Sequence, residues 1–313
     1  MSSDLGVAIL KAEELIRPWI VETELIPSSL GGVGGLFLKL ENTQLTGSFK
    51  ARGALNKLLS LSSAARAGGV IAASSGNHGA AVAYAAGKLE TRARIVVSAT
   101  ANPGKVAAIR ELGGVVEVYG IDSSEAEVYA RKLAEREWQP YVSPYNDLDV
   151  VAGQGTIGVE LARQLDHADA VFISLGGGGL LAGIAAHLME RWPGIRIVGC
   201  SPENSAVMVH SLRAGRILEL ESKATLSDGT AGGIEPGAIT FELCQRYAGD
   251  LVMVTETEIR QAMRLVFKTH HMAVEGAAGV ALAAYLRQAE RWRDRRAVVI
   301  ICGGNVSAAE FEG

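Results

Sequence analysis

Cysteine, aromatic residues, proline and surplus charge are all scarce in this chain of 313 residues, and each scarcity excludes something. The three cysteines, Cys200, Cys244 and Cys302, are odd in number and far apart. They form neither a disulfide framework nor a CxxC metal site, so a reducing, cytoplasmic compartment and no metal are expected. Aromatic residues make up 5% of the chain, too few for a platform that stacks single-stranded nucleic acid. Thirty Lys+Arg against 34 Asp+Glu leave a net charge of −4, without the basic surplus of a nucleic-acid binder. The densest basic run, 287–296, is interrupted by Glu290 and Asp294 and reads as a solvated helix end. No apolar run reaches the ~18–20 residues that span a bilayer. Met1-Ser-Ser-Asp lacks the basic and apolar regions of a signal peptide. Neither a nucleic-acid nor a membrane partner is expected.

Glycine is what the chain has in quantity. Its 37 glycines are roughly 12% of the residues, against about 7% on average. With only eight prolines, that is no linker signature. It points to tight turns, or to backbone that approaches a ligand closely. At 48% hydrophobic and 20% charged the composition is that of a soluble globular protein, long enough for two domains or one large α/β unit.

Short apolar runs alternate with helical patterns. Strands are expected over 36–40, 70–73, 94–98, 115–119, 170–175, 195–200 and 297–302, and helices over 49–60, 77–88, 103–112, 123–137 and 180–191. Pro103 suits a first helical turn and Ser123 a helix start. This alternation predicts parallel sheets covered by helices on both faces. Polar and proline residues interrupt it near 60–69 and 139–149. The fold class is therefore α/β, with two open twisted sheet domains. Residues 1–66 and 140–313 would form a larger, discontinuous domain, and 67–139 a small one closing over the cleft between them. Ligands of such folds sit outside the carboxyl ends of the strands.

Four clusters lie at such places. Gly176-Gly177-Gly178-Gly179-Leu180 follows a strand and opens a helix. Unobstructed N–H groups and a helix N-terminus make an anion cradle there, and no GK[ST] follows to make it a P-loop. Ser74-Ser75-Gly76-Asn77-His78-Gly79 also opens a helix, with chemistry that suits a carboxylate, although polar helix caps look similar. Lys50, behind Gly47-Ser48-Phe49, stands in a first helical turn. The positive end of the helix dipole there lowers the pKa of an amine and favours its use as a nucleophile. Cys302-Gly303-Gly304-Asn305 closes the last apolar strand.

In this order, and with Ala152-Gly153-Gln154-Gly155-Thr156, the clusters resemble the fold-type II pyridoxal-phosphate enzymes, in particular their serine/threonine dehydratase and serine racemase branch. The motifs span nearly the whole chain. The resemblance implies a fold like that of the tryptophan synthase β-subunit, pyridoxal 5'-phosphate as cofactor, an amino-acid substrate and a homodimer. It also implies roles. Lys50, next to Phe49, would hold the cofactor covalently. Gly176, Gly177, Gly178, Gly179 and Leu180 would bind its phosphate, and Asn77 its ring hydroxyl oxygen. Ser74, Ser75, Gly76, Asn77 and His78 would bind the substrate carboxylate. Cys302 falls where the family places its partner for the pyridine nitrogen. Asp228 and Gly229 match a loop lining the cofactor, and Glu275 a glutamate behind the ring. The activity implied is loss of a β-hydroxyl from an amino acid such as threonine or serine, giving a 2-oxo acid and ammonia, with Lys50 taking the Cα proton.

The chain also departs from its relatives. Cation-activated members carry two acidic ligands where Ser201, Ser205 and Val207 stand here, so a divalent-cation site is not expected. The sequence ends at Gly313, and no C-terminal regulatory domain is expected. Racemisation is the nearest rival activity, because Ser75 occupies the position of a racemase's second base. Dehydration of 3-hydroxyaspartate or phenylserine is another, with Tyr145 and the Thr240-Phe241 region as candidate pocket walls. His78 stands where sulfur-adding synthases carry threonine. A catalytically silent binding protein is a rival of a different class, and the retained Lys50 argues against it.

Overall fold

A computed structural model describes residues 2–32 and 35–306; the chain end at Gly313 lies outside them. The elements run α1 (Ser2–Ile16), β1 (Leu25–Ser28), β2 (Leu36–Lys39), α2 (Lys50–Ser60), α3 (Ser63–Ala67), β3 (Val70–Ala73), α4 (Asn77–Lys88), β4 (Ala93–Val97), α5 (Pro103–Glu111), β5 (Val115–Val118) and α6 (Ser123–Glu137). They continue with α7 (Leu148–Gln164), β6 (Ala170–Ser174), α8 (Gly179–Arg191), β7 (Arg196–Pro202), α9 (Val207–Ala214), α10 (Ile239–Tyr247), β8 (Asp250–Val254), α11 (Glu256–His270), α12 (Gly276–Arg287) and β9 (Ala297–Ile300).

The strands form two sheets, one ordered β1-β2-β9-β6-β7-β8 and one ordered β3-β4-β5. All pairings are parallel except β1 with β2. That exception departs from the purely parallel expectation. Pro27 has no N–H for a second neighbour, which confines β1 to the sheet edge. Side chains alternate in the small sheet as the two-residue period requires. Val70 and Ala72 pack with Ala81 and Val82 of α4, while Ile71 packs with Ala126 and Ala130 of α6. One larger core surrounds the six-stranded sheet, where Phe172 of β6 meets Tyr285 of α12 and Trp292 edge-on at 5.5 and 5.8 Å.

The helix starts have local causes. Asn102 Oδ1 accepts from the N–H groups of Gly104 and Lys105, and Pro103 fills the first position. Asp122, one residue before the expected Ser123, caps α6 by accepting from Glu125 N at 2.9 Å. Among the described residues no helix is long and apolar enough to cross a membrane, and no three His, Cys, Asp or Glu side chains are grouped to hold a metal ion.

Candidate active site

Lys50 opens α2 behind a loop zipped onto the end of β9. Phe49 N donates to Cys302 O at 3.1 Å and Gly304 N to Gly47 O at 2.9 Å, and Ser48 bridges Gly303. Gly47 has φ +69, and a Cβ there would strike the Asn305 amide. Both demand glycine. Lys50 Nζ donates to Pro144 O at 2.8 Å and stands 5.1 Å from the centre of the Phe49 ring. Loss of solvent pulls its pKa down to about 8, against the opposing pull of Cys302 and Glu275. About a tenth of the amine is therefore neutral at pH 7, far more than for an ordinary lysine.

β3 leads through Ser74-Ser75-Gly76 into α4. Gly76 N donates to Ser74 Oγ at 3.2 Å, and a Cβ on Gly79 would land on Ser74 O. The His78 ring is buried, and its Nε2 lies 2.8 Å from Val142 O. Burial and the Lys50 charge push its pKa down to about 3, so it is neutral with the proton on Nε2, donated to that carbonyl. The imidazole is thus committed to the backbone at 142. What residue 78 offers to a ligand at the helix N-terminus is its main-chain N–H.

The tetraglycine turn joins β6 to α8. A Cβ on Gly176 would meet Thr230 Cα at 2.8 Å, one on Gly177 would enter the Tyr145 ring, and one on Gly179 would meet Tyr145 Cα at 3.2 Å. Gly178 has φ +88, with Cys244 Sγ 2.7 Å from its would-be Cβ. The turn is pinned from behind by these neighbours. The N–H groups of Gly176, Gly177 and Gly178 have no acceptor among the described residues, and buried Leu180 follows in the first turn of α8. A bound phosphate would satisfy those donors. Tyr145 and Thr240, expected as pocket walls, pack against this turn, and Tyr145 Oη accepts from Glu235 N at 2.9 Å.

Glu275, the residue before α12, and Cys302, just after β9, meet beneath the cleft. Cys302 Sγ is 3.7 Å from Glu275 Oε1 and 3.9 Å from Ser174 Oγ. Burial pushes the Glu275 carboxyl up to about 7 despite the hydrogen bond from Asn77 Nδ2 to its Oε2 at 2.8 Å. Burial likewise raises the Cys302 thiol well above its ordinary value. A Cβ on Gly229 would stand 3.9 Å from Glu275 Oε1, and its neighbour Asp228 pairs with Lys105 of α5.

These contacts draw the separate clusters into one cleft at the carboxyl ends of the strands. The sequence reading misses two contributors. One is the pair of carbonyls on either side of Ser143, Val142 O and Pro144 O, which receive His78 and Lys50, and no side-chain pattern signals a carbonyl. Asn305 stands inside a motif already noted, yet its type alone shows no partner.

A half-buried amine beside a helix-end phosphate cradle matches an aldehyde that carries a phosphate. A family model described as pyridoxal-phosphate dependent enzyme matches residues 16–303. The chain belongs to this family. The chain is similar to an L-threonine ammonia-lyase of Thermotoga maritima, 38% identical over 301 residues that cover 95% of this chain and 75% of that protein. Among solved structures, the processed form of threonine deaminase isoform 2 from Solanum lycopersicum superposes with a TM-score of 0.93 at 34% identity, covering 99% of this chain and 92% of that one. Maize serine racemase superposes with a TM-score of 0.91 at 30% identity, covering 97% and 94%. The two parallel-rich sheets are those of this family's fold type II, pyridoxal 5'-phosphate is the cofactor, and the chain is an enzyme of the ammonia-lyase kind.

Proposed function

We propose that this enzyme dehydrates and deaminates a β-hydroxy amino acid such as L-threonine or L-serine. The substrate loses its β-hydroxyl as water, and one water returns to release ammonia and leave a 2-oxo acid. The observation that carries the reading is the neutral-prone amine of Lys50, set among two helix N-termini and a buried thiol. Bound there, pyridoxal phosphate supplies an electron sink for negative charge at the substrate Cα.

The chain's own residues do the rest. Lys50 would hold the cofactor covalently, and its amine would take the Cα proton. The N–H groups of Gly176, Gly177, Gly178, Gly179 and Leu180 would hold the phosphate, and Asn77 would donate to the ring hydroxyl oxygen. Ser74, Ser75, Gly76 and the N–H groups of Asn77 and His78 would hold the substrate carboxylate. Phe49, Gly229 and Glu275 would line the cofactor ring, and Cys302 would be the partner for its nitrogen. A thiol is only a weak hydrogen-bond partner, so Cys302 would help draw negative charge from Cα less than an acid would, which would favour loss of the β-hydroxyl over transamination. Residues 67–139 close over the cleft as a small domain against 1–66 and 140–313. The working unit is a homodimer, and three free buried cysteines fit a reducing, cytoplasmic compartment.

The test is direct. The purified protein should be yellow, borohydride should remove the colour, and Lys50→Ala should abolish both covalent binding and turnover. A reducible linkage surviving in Lys50→Ala overturns the assignment. Serine, threonine, 3-hydroxyaspartate and phenylserine are then assayed for 2-oxo acid and ammonia. Absence of both products from all four overturns the reaction. Chiral analysis of recovered serine measures racemisation, for which Ser75 would be the second base.

A further inference from the structure

Asn305 has no role in the reading above, yet it stands between two segments of the cleft. Its Nδ2 lies 2.8 Å from Thr46 O and 2.8 Å from Asn77 Oδ1. Asn77 in turn directs Nδ2 to Glu275 Oε2 at 2.8 Å. An asparagine amide can often be turned end for end, because either end finds a partner. Here it cannot. A backbone carbonyl only accepts, so the end of Asn305 facing Thr46 is the NH2. The same nitrogen faces Asn77, so that end of Asn77 is its carbonyl oxygen. The end of Asn77 facing Glu275 is therefore its NH2, whether or not Glu275 carries a proton. Polarity passes from one main-chain carbonyl through two amides to a carboxyl group.

Each amide NH2 has two hydrogens. Asn305 uses both, on Thr46 and Asn77. Asn77 gives one to Glu275, and its second meets no acceptor among the described residues. Thr46 leads into Lys50, and Asn77 opens α4. The φ of +69 at Gly47 and its lack of a side chain let the Asn305 amide lie against the Lys50 loop.

We propose that Asn305 is a positioning residue for the cofactor: anchored on Thr46 O, it holds Asn77 so that an N–H, and not a carbonyl oxygen, meets the ring hydroxyl oxygen of pyridoxal phosphate. This rests on the assignment of the cofactor to Lys50. A donor at that oxygen stabilises its negative charge. Without one, the nitrogen of the Lys50 linkage keeps its proton to higher pH.

The experiment titrates the visible absorption and circular dichroism of the loaded full-length protein against pH. Asn305→Ala should raise the midpoint by about one pH unit, the size of one hydrogen bond to a charged group. Asn305→Asp, which sets oxygen against oxygen, should raise it further. Asn305→Ala should add nothing in an Asn77→Ala background, because the two act in series. Asn305 is exposed, so the thermal midpoint of the cofactor-free protein should barely move. An unchanged titration in both single variants overturns the proposal, and so does an equal shift with and without Asn77. A wild-type protein that takes up no borohydride-reducible cofactor overturns the Lys50 assignment itself. Loaded wild type with unaltered variants overturns only the role of Asn305.

Discussion

Burying an amine beside a helix N-terminus disfavours its proton twice, through lost hydration and through the helix dipole. Lys50 bears both, and its nearest direct partner is a neutral carbonyl, Pro144 O at 2.8 Å. The result is an amine with a pKa of about 8, ready to attack an aldehyde. Rebinding of pyridoxal phosphate by the cofactor-free protein should therefore speed up with pH and level off above about pH 8. Stopped-flow growth of the visible band from pH 7 upward measures this. A rate still climbing toward the ordinary lysine pKa would remove the argument. Stability follows with a definite sign. Between about 8 and the ordinary 10.5 the unfolded chain holds a proton that the folded one has lost, so this group makes stability rise with pH across that window. Below pH 8 the cost is fully present. Cofactor-free Lys50→Met should be more stable than wild type at pH 7, and the gap should close as pH approaches 10.5. Equal stability in denaturant titrations at both ends would contradict it.

Behind the lysine, α2 is fastened by charge. Arg52 grips Glu41 through two nitrogens at 2.8 Å and reaches Glu160 of α7 at 2.6 Å, while Lys39 of β2 meets Glu160 at 2.5 Å. All four side chains are buried. Two cations balance two carboxylates, so the group is neutral as a whole, but removing one member strands the rest. Arg52→Met should cost about 3–5 kcal/mol, the range for breaking a buried pair, read from urea denaturation; a loss below about 1 kcal/mol, as for a surface pair, would show the cluster is not what fastens α2. The strands from β2 to β7 and β9 are legible in the sequence because short apolar runs alternate with helical stretches. Helix α7 is not. Its centre, Ala152-Gly153-Gln154-Gly155-Thr156, carries residues of low helix propensity and reads as a glycine motif. The structure gives those glycines a packing reason: a Cβ on Gly153 would meet Arg52 O at 2.7 Å, and one on Gly155 would meet Gly183 O at 2.9 Å. Close approach of α2, α7 and α8 overrides propensity. Strand β1, marked by Pro27, and α12, opened by Gly276 against Leu226 O, escape the pattern for similar local reasons.

At the scale of the molecule, the clusters around Gly76, Gly176 and Gly303 are visible in the sequence as glycine with polar neighbours at a strand end, whereas Glu275 opens a helix and is named only by the resemblance. What ties the clusters together is not visible there, because it depends on backbone carbonyls at 142 and 144 and on ion pairs between distant segments. Two such pairs reach from the helices of the small sheet to the 228–235 loop: Lys105 of α5 to Asp228, and Arg131 of α6 to Glu235 at 2.6 Å. Glu235 also accepts from Asn146 Nδ2 at 2.9 Å, and its N–H donates to Tyr145 Oη, which lies against the tetraglycine turn. The proposed closure over the cleft would thus be coupled to the turn assigned to the phosphate. Partly exposed pairs contribute only about 0–1 kcal/mol each, enough to bias an opening equilibrium without locking it. Replacing both cations, as Lys105→Met with Arg131→Met, should raise KM for the amino acid about 3–10-fold at low salt, the factor that 0.7–1.4 kcal/mol corresponds to. Salt should mimic the substitutions, since exposed charges are screened within about 10 Å at 0.1 M. Wild-type KM should therefore climb with ionic strength toward that of the double variant, whose own KM should stay nearly flat. Initial rates across a salt series decide it, and parallel salt dependence in the two proteins would show that these pairs do not govern closure.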